Sequence, residues 1–366
     1  MRHWTLLRHL GATALAAAVL LGVTSVLDPF RDYQLATAAA YLCAAAGLTV
    51  LTGLNGQLSL GHGALMAVGA YTVALVQNGF GAHDVGTQWT VPVSLAAGVG
   101  AAAASGAVIG VAAARLRGPY LAGLTLVVAV AVPAVTTVFG GVFHGDQGLS
   151  VYLPPTPAAL GEDFPVERWQ AWLALCAALL TLLLLANLIR SRFGRTLRAV
   201  RDDEVAARLA GIPVARTQVL AFVVSAACAG LGGGMFAVLA QSVSPGAFAL
   251  TLSLNLLLAV VVGGLGSLAG AVWGSLLLVL LPYLTDTLTS SLALSPALTQ
   301  RLAGNLPLAV FGLLLVIVMI AAPGGIQGLL NRAGRWARGR RHNRPVRRVD
   351  PSAHDAESPP PVATHT

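Results

Sequence analysis

Six stretches without a single Asp, Glu, Lys or Arg dominate this chain: residues 33–83, 85–114, 118–145, 169–189, 217–285 and 302–331. Each is as long as the ~20 apolar residues a helix needs to cross the hydrocarbon core of a bilayer. Charged residues make up 10% of the chain and hydrophobic ones 56%. An ordinary soluble domain is roughly a quarter charged, so a soluble fold is excluded. Only helices and closed barrels satisfy their backbone groups in lipid. The runs are continuous Ala, Leu, Val and Gly rather than alternating, which fits helices. The expected fold class is an all-α, polytopic membrane protein.

All 22 basic residues are Arg, and Lys is absent. A phosphate-binding loop of the G-x-x-x-x-G-K-[ST] type needs its lysine, so the chain does not hydrolyse ATP through one. A Schiff-base lysine is excluded in the same way. Cys43, Cys176 and Cys228 sit in separate apolar runs without metal-ligand spacing and read as packing residues. No metal or other cofactor is expected.

Arginine also sets the expected sidedness, because cytoplasmic loops are enriched in it. The basic segment from Met1 to His9 precedes an apolar run, read as a retained first span rather than a cleaved leader. With the N-terminus inside, Asp28 to Asp32 fall outside, and the run 33–83 divides at its glycine-rich middle into two spans. A span near 91–113 brings Arg115 and Arg117 inside, and one near 119–139 leads to an external loop, 140–167, that holds acids and no Arg. A span near 168–189 returns to seven Arg between 190 and 216. Spans near 219–239, 251–262, 268–284 and 306–322 complete ten, with both termini cytoplasmic. This threading places 19 of the 22 Arg inside and 8 of the 14 acids outside. Residues 1–330 then form the membrane domain, and 331–366 a basic cytoplasmic tail with a disordered Pro/Ser/Thr/His-rich end.

Outside His62, no ionisable acid or base lies deep in an expected span, so a buried carboxylate relay for proton or sodium coupling has no evident parts. Two segments draw attention. Between Gly53 and Gly63 four glycines weaken helix by roughly 1 kcal/mol each relative to alanine. The same stretch clusters Asn55, Gln57, Ser59 and His62, side chains poorly solvated by lipid. A broken helix beside a translocation path accounts for both, an interfacial turn being the alternative. The second segment, Gly194 to Pro213, carries too much charge to cross. Asp202 or Asp203 is placed to cap a short helix that Gly211 and Pro213 end, a shape suited to docking a partner's groove or, more simply, to a structured anchoring loop. The glycines at 263–274 and 230–234 read as close helix packing.

At these residues the chain resembles the LivM-type permease family of ABC importers for branched-chain amino acids. The resemblance rests on Gly56-Gln57-Leu58-Ser59-Leu60-Gly61-His62 through Gly69-Ala70-Tyr71 and on Arg115-Leu116-Arg117-Gly118-Pro119-Tyr120. It continues in Phe193-Gly194-Arg195 through Gly211-Ile212 and in Val262-Gly263-Gly264-Leu265-Gly266-Ser267-Leu268-Ala269-Gly270. It implies a non-catalytic subunit of the bacterial inner membrane that pairs with a homologous permease, two cytoplasmic ATPases and an extracytoplasmic binding protein, with no nucleic-acid partner. It also implies that Asp202, Asp203, Glu204, Ala206, Ala207 and Gly211 belong to the helix that couples to the ATPases. A urea or short-amide importer and a stand-alone channel are the rival readings, with an intramembrane enzyme behind them.

Overall fold

Where they are described, the charge-free runs are largely helical in the computed structural model, which describes residues 2–81, 87–116, 118–152, 156–157, 160–161, 164–291, 309–310, 312–313, 316–317, 320 and 324–339. In order these are α1 (Arg2–Thr24), α2 (Pro29–Leu48), α3 (His62–Gly81), α4 (Thr87–Ala113), α5 (Pro119–Val138) and the one-turn α6 (Gly140–Phe143). There follow α7 (Val166–Arg190), α8 (Arg192–Asp202), α9 (Glu204–Leu209), α10 (Val214–Ala240), α11 (Leu250–Gly264), α12 (Leu268–Ser291) and α13 (Gly325–Gly339). Among the described residues six helical segments are long and apolar enough to cross a membrane: Pro29–Leu54, Trp89–Ala113, Pro119–Val138, Val166–Arg190, Val214–Ala240 and Pro245–Gly264. Shorter apolar segments, Thr13–Thr24 and Leu268–Leu284, lie in α1 and α12. The expected last span, residues 306–322, falls largely outside the described residues.

The chain divides into two units, Met1–Gly328 and Leu329–Thr366. Of the second, residues 329–339 are described, as turns of α13 in which Arg332, Arg335 and Arg338 recur every third residue. The tail end expected to be disordered lies outside the described residues.

In the first unit α2 is the innermost span: 83% of its apolar window is buried, against 22% for α4 and α5. Its composition explains the position. Ala36, Ala39, Ala40, Ala44, Ala45 and Ala46 let neighbours approach its backbone closely. Lipid tails are as apolar as leucine, so helix association in a membrane rests on such van der Waals contact rather than on hydrophobic expulsion. Around α2 pack α7, α10 and α12, while α10 also meets α3 and α4. The glycines at 230–234 serve this crossing. A Cβ on Gly233 would overlap the Met66 carbonyl of α3, and one on Gly69 the Gly230 carbonyl. The α11–α12 hairpin closes in the same way, Gly263 lying against Gly270.

One end of the bundle is stitched together by chain segments that are not helical. Strands β1 (Leu149–Ser150) and β2 (Ser242–Val243) pair antiparallel, tying the loop after α5 to the end of α10. The Gly145–Gln147 turn before β1 ends at Gly148, whose φ of +71° and contact with the Val243 carbonyl leave no room for a side chain. At the end of α3, Gln77 accepts from the Tyr152 N–H at 2.8 Å and donates to Ser94 Oγ at 3.2 Å. At the start of α2 and α7, Arg168 meets the buried Asp32 at 3.5 Å.

Candidate functional site

The opposite end is organised by the break in Pro29–Leu54. After Leu48 the helix widens into a π-helical segment, Thr49–Leu54. Insertions of this kind inside α-helices are frequent at functional sites. The chain then turns at Gly56, whose φ is +76°, and runs without helix until His62. Several of its backbone groups are paired within the protein. The Gln57 N–H donates to the Leu51 carbonyl at 3.2 Å, and the Thr52 hydroxyl donates to the Gln57 carbonyl at 3.1 Å. Leu60 N–H donates to Thr125 Oγ1 of α5 at 3.0 Å, and Gly63 N–H to Ser253 Oγ of α11 at 2.9 Å.

The four side chains expected along a path divide into two pairs. Asn55 donates to Gln57 Oε1 at 2.7 Å, and both border a cleft of 620 Å³. Asn55 Oδ1 has no hydrogen-bond partner. Ser59 and His62 instead point into the packed interior: His62 is fully buried, with Nδ1 3.2 Å from Ser59 Oγ and Nε2 2.8 Å from Ser225 Oγ of α10. The reason is local. His62 lies in the first turn of α3, on the face that crosses α10, where a hydroxyl partner removes most of the cost of burying an imidazole.

The far wall of that cleft is the second expected segment. Arg201, Asp202, Asp203 and Glu204 line it with Gln218, while Leu116, Pro119 and Ala122 close it from the α4–α5 side. Asp202 ends α8 and is exposed; Asp203 is extended, at φ −158°, and caps α9. Its Oδ1 accepts from the N–H groups of Val205 at 2.7 Å and Ala206 at 3.0 Å. An aspartate at this position also opposes the positive end of the helix dipole. Eight residues after Asp203, Gly211, at φ +79°, lets the Ile212 N–H return to the Ala207 carbonyl at 3.0 Å, which ends the helix. Glu204 Oε1 accepts from Gln218 Nε2 at 2.9 Å, fixing α9 to α10. Ala207 is buried with Val200 and Val214, so the outward face of α9 is Val205, Ala206 and Leu209. Val205 is 66% and Leu209 86% exposed.

Sequence reasoning missed three parts of this site. Helix α8 precedes the expected one, its buried Gly194, Leu197 and Val200 recurring every third residue beneath an arginine stripe. Gln218 could have been flagged as an amide one turn into an apolar run. Arg201 donates through Nη1 to the Gly53 carbonyl, 148 positions away in sequence, and nothing distinguishes it from the other six Arg of its segment.

Residues 31–323 match the family model described as branched-chain amino acid transport system / permease component. The chain is 34% identical over 266 residues to the high-affinity branched-chain amino acid transport system permease protein LivM of Escherichia coli, covering 65% of this chain and 60% of that protein. The Salmonella typhimurium LivM gives the same figures. A probable branched-chain amino acid permease of Methanocaldococcus jannaschii is 24% identical over 223 residues, 60% of this chain and 63% of its own length. The chain thus spans about 60% of the length of the curated relatives it matches. No solved structure matches it.

Proposed function

This chain belongs to the branched-chain amino acid transport system permease family, and we propose that it is the membrane-spanning permease subunit of an ABC importer for branched-chain amino acids. In this reading ten helices thread a bacterial inner membrane with both termini cytoplasmic. Residues 1–330 are the permease body and 331–366 a basic tail. A homologous permease completes the path, two cytoplasmic ATPases drive it, and an extracytoplasmic binding protein delivers the substrate. Of Asn55, Gln57, Ser59 and His62, the first two border the path and the last two brace it from within the packed interior, and Asp202 to Gly211 form the coupling element.

The observation that carries the proposal is α9 itself: a short, doubly capped helix beside a cleft, with Val205 and Leu209 turned to solvent. Two large apolar side chains four residues apart on a polar segment form the anchor pattern of a helix that lies in a groove. Energetics supports a driven rather than a self-powered device. Moving a two-state equilibrium from 1:99 to 99:1 takes about 5.5 kcal/mol of differential binding. A single helix cap supplies about 1 kcal/mol and a typical hydrogen bond about 1. The drive therefore comes from the partners, and the permease residues orient and transmit.

Reconstitution in liposomes tests this. With both ATPases, the second permease and the binding protein present, uptake of radiolabelled leucine is expected to require ATP. Leucine entry through this chain alone without ATP would select a facilitator instead. ATP-driven urea uptake without leucine uptake would move the substrate to short amides.

A further inference from the structure

Three segments distant in sequence converge on one backbone carbonyl. Gly53 lies in the π-helical segment, at the end of a span whose last carbonyls have no partner within their own helix. Arg201, the penultimate residue of α8, donates to that carbonyl through Nη1. The Gly266 backbone, in the α11–α12 turn, presses on Gly53 so closely that a Cβ on Gly53 would overlap Gly266 N and Cα. Gly56 sits over the same arginine: a Cβ there would lie 3.1 Å from Arg201 Cγ. A cation at a helix C-terminus is favoured by the helix dipole, and a guanidinium offers a planar fork of donors where an ammonium offers a point charge.

Arg201 is also tied to α9. Val200 of α8, Ala207 of α9 and Val214 of α10 form one buried cluster, and a single extended residue, Asp203, separates the two helices. A displacement of α9 therefore carries the end of α8 with it, and the guanidinium carries the displacement to the π segment.

We propose that Arg201 is a positioning residue, a strut that links movement of α9 to the broken helix by holding the Gly53 carbonyl against the α11–α12 turn. The inference rests on the importer reading of α9 and names the route by which it reaches the path. Without the strut, ATP hydrolysis continues but the break no longer follows.

The test uses the reconstituted complex with Cys176→Ser and a reporter, Leu58→Cys, at an exposed residue of the break. Three quantities are read: leucine uptake, ATP hydrolysis, and the rate at which a maleimide labels the reporter with and without ATP. Arg201→Ala is expected to lower uptake at least tenfold, to leave hydrolysis within twofold, and to abolish the ATP-dependent change in labelling. Arg201→Lys is expected to recover part of the uptake, because it keeps a donor and the charge. Unchanged uptake and unchanged ATP-dependent labelling in Arg201→Ala would overturn the strut while leaving the importer intact. Parallel loss of uptake, hydrolysis and assembly in both variants would overturn it too, by giving Arg201 a merely structural role. Absence of ATP-driven uptake in the unsubstituted complex would instead bring down the importer reading, and the strut with it.

Discussion

The two ends of this bundle are held together by different means. At the β1–β2 end, connecting segments are pinned by backbone pairing in the ribbon, by Gln77 between Tyr152 and Ser94, and by Arg168 on the buried Asp32. At the break end the bridges, among them Arg201 to Gly53 and Glu204 to Gln218, border a cleft of 620 Å³ that leaves room between the segments. Packed, multiply bonded regions are bistable at best and move as blocks, whereas regions with few buried contacts open at low cost. Under the importer proposal, we infer from this comparison that the ribbon end is the fixed frame of the chain and the cleft end its working part.

The largest expected effect is at the frame. Arg168→Ala leaves the Asp32 carboxylate buried without its cation and is expected to cost about 3 kcal/mol of stability, read by thermal unfolding in detergent. Adding Asp32→Asn should recover most of that loss, because the stranded charge is gone. A double variant as unstable as the single one would break the account of this pair. Next, Gln77→Leu strips two partners of their bonds and is expected to cost about 1–3 kcal/mol. The ratio of uptake to ATP hydrolysis should stay unchanged; an altered ratio would show that the frame, too, takes part in coupling. The smallest stability effect belongs to the working end. Asp203→Ala removes the α9 cap for about 1 kcal/mol, which lowers the equilibrium constant for forming the helix about fivefold. Uptake per ATP should fall while unfolding barely shifts. A cap variant that loses stability as heavily as Arg168→Ala would erase the distinction between the ends.

Much of the helical frame was legible in the sequence, because a charge-free run bounded by Arg, Gly or Pro leaves few alternatives in lipid. The spans expected at 219–239, 251–262 and 268–284 lie within α10, α11 and α12, and the break after Gly53 followed from its glycines. A cap at Asp202 or Asp203, which the structure resolves to Asp203, and the stop at Gly211 were legible for the same reason, since both are local backbone chemistry. What was not legible is contact between distant segments. The pairing of His62 with Ser225, the two-residue ribbon and the reach of Arg201 to Gly53 depend on how helices stack, and a single sequence carries no signal of that. Helix α8 was hidden differently: its apolar stripe is three residues long and lies among four arginines.

The most direct test of the division into frame and working end is a pair of distances within this one subunit, measured by pulsed electron paramagnetic resonance in the reconstituted complex. Spin labels at Leu58 and Ala210 report the cleft end, and labels at Trp89 and Tyr152, all four exposed in this chain, report the ribbon end. On adding ATP the first distance is expected to change by about 2 Å or more, the scale of helix shifts in switching proteins, while the second stays constant. A constant distance at the cleft with movement at the ribbon would contradict the account.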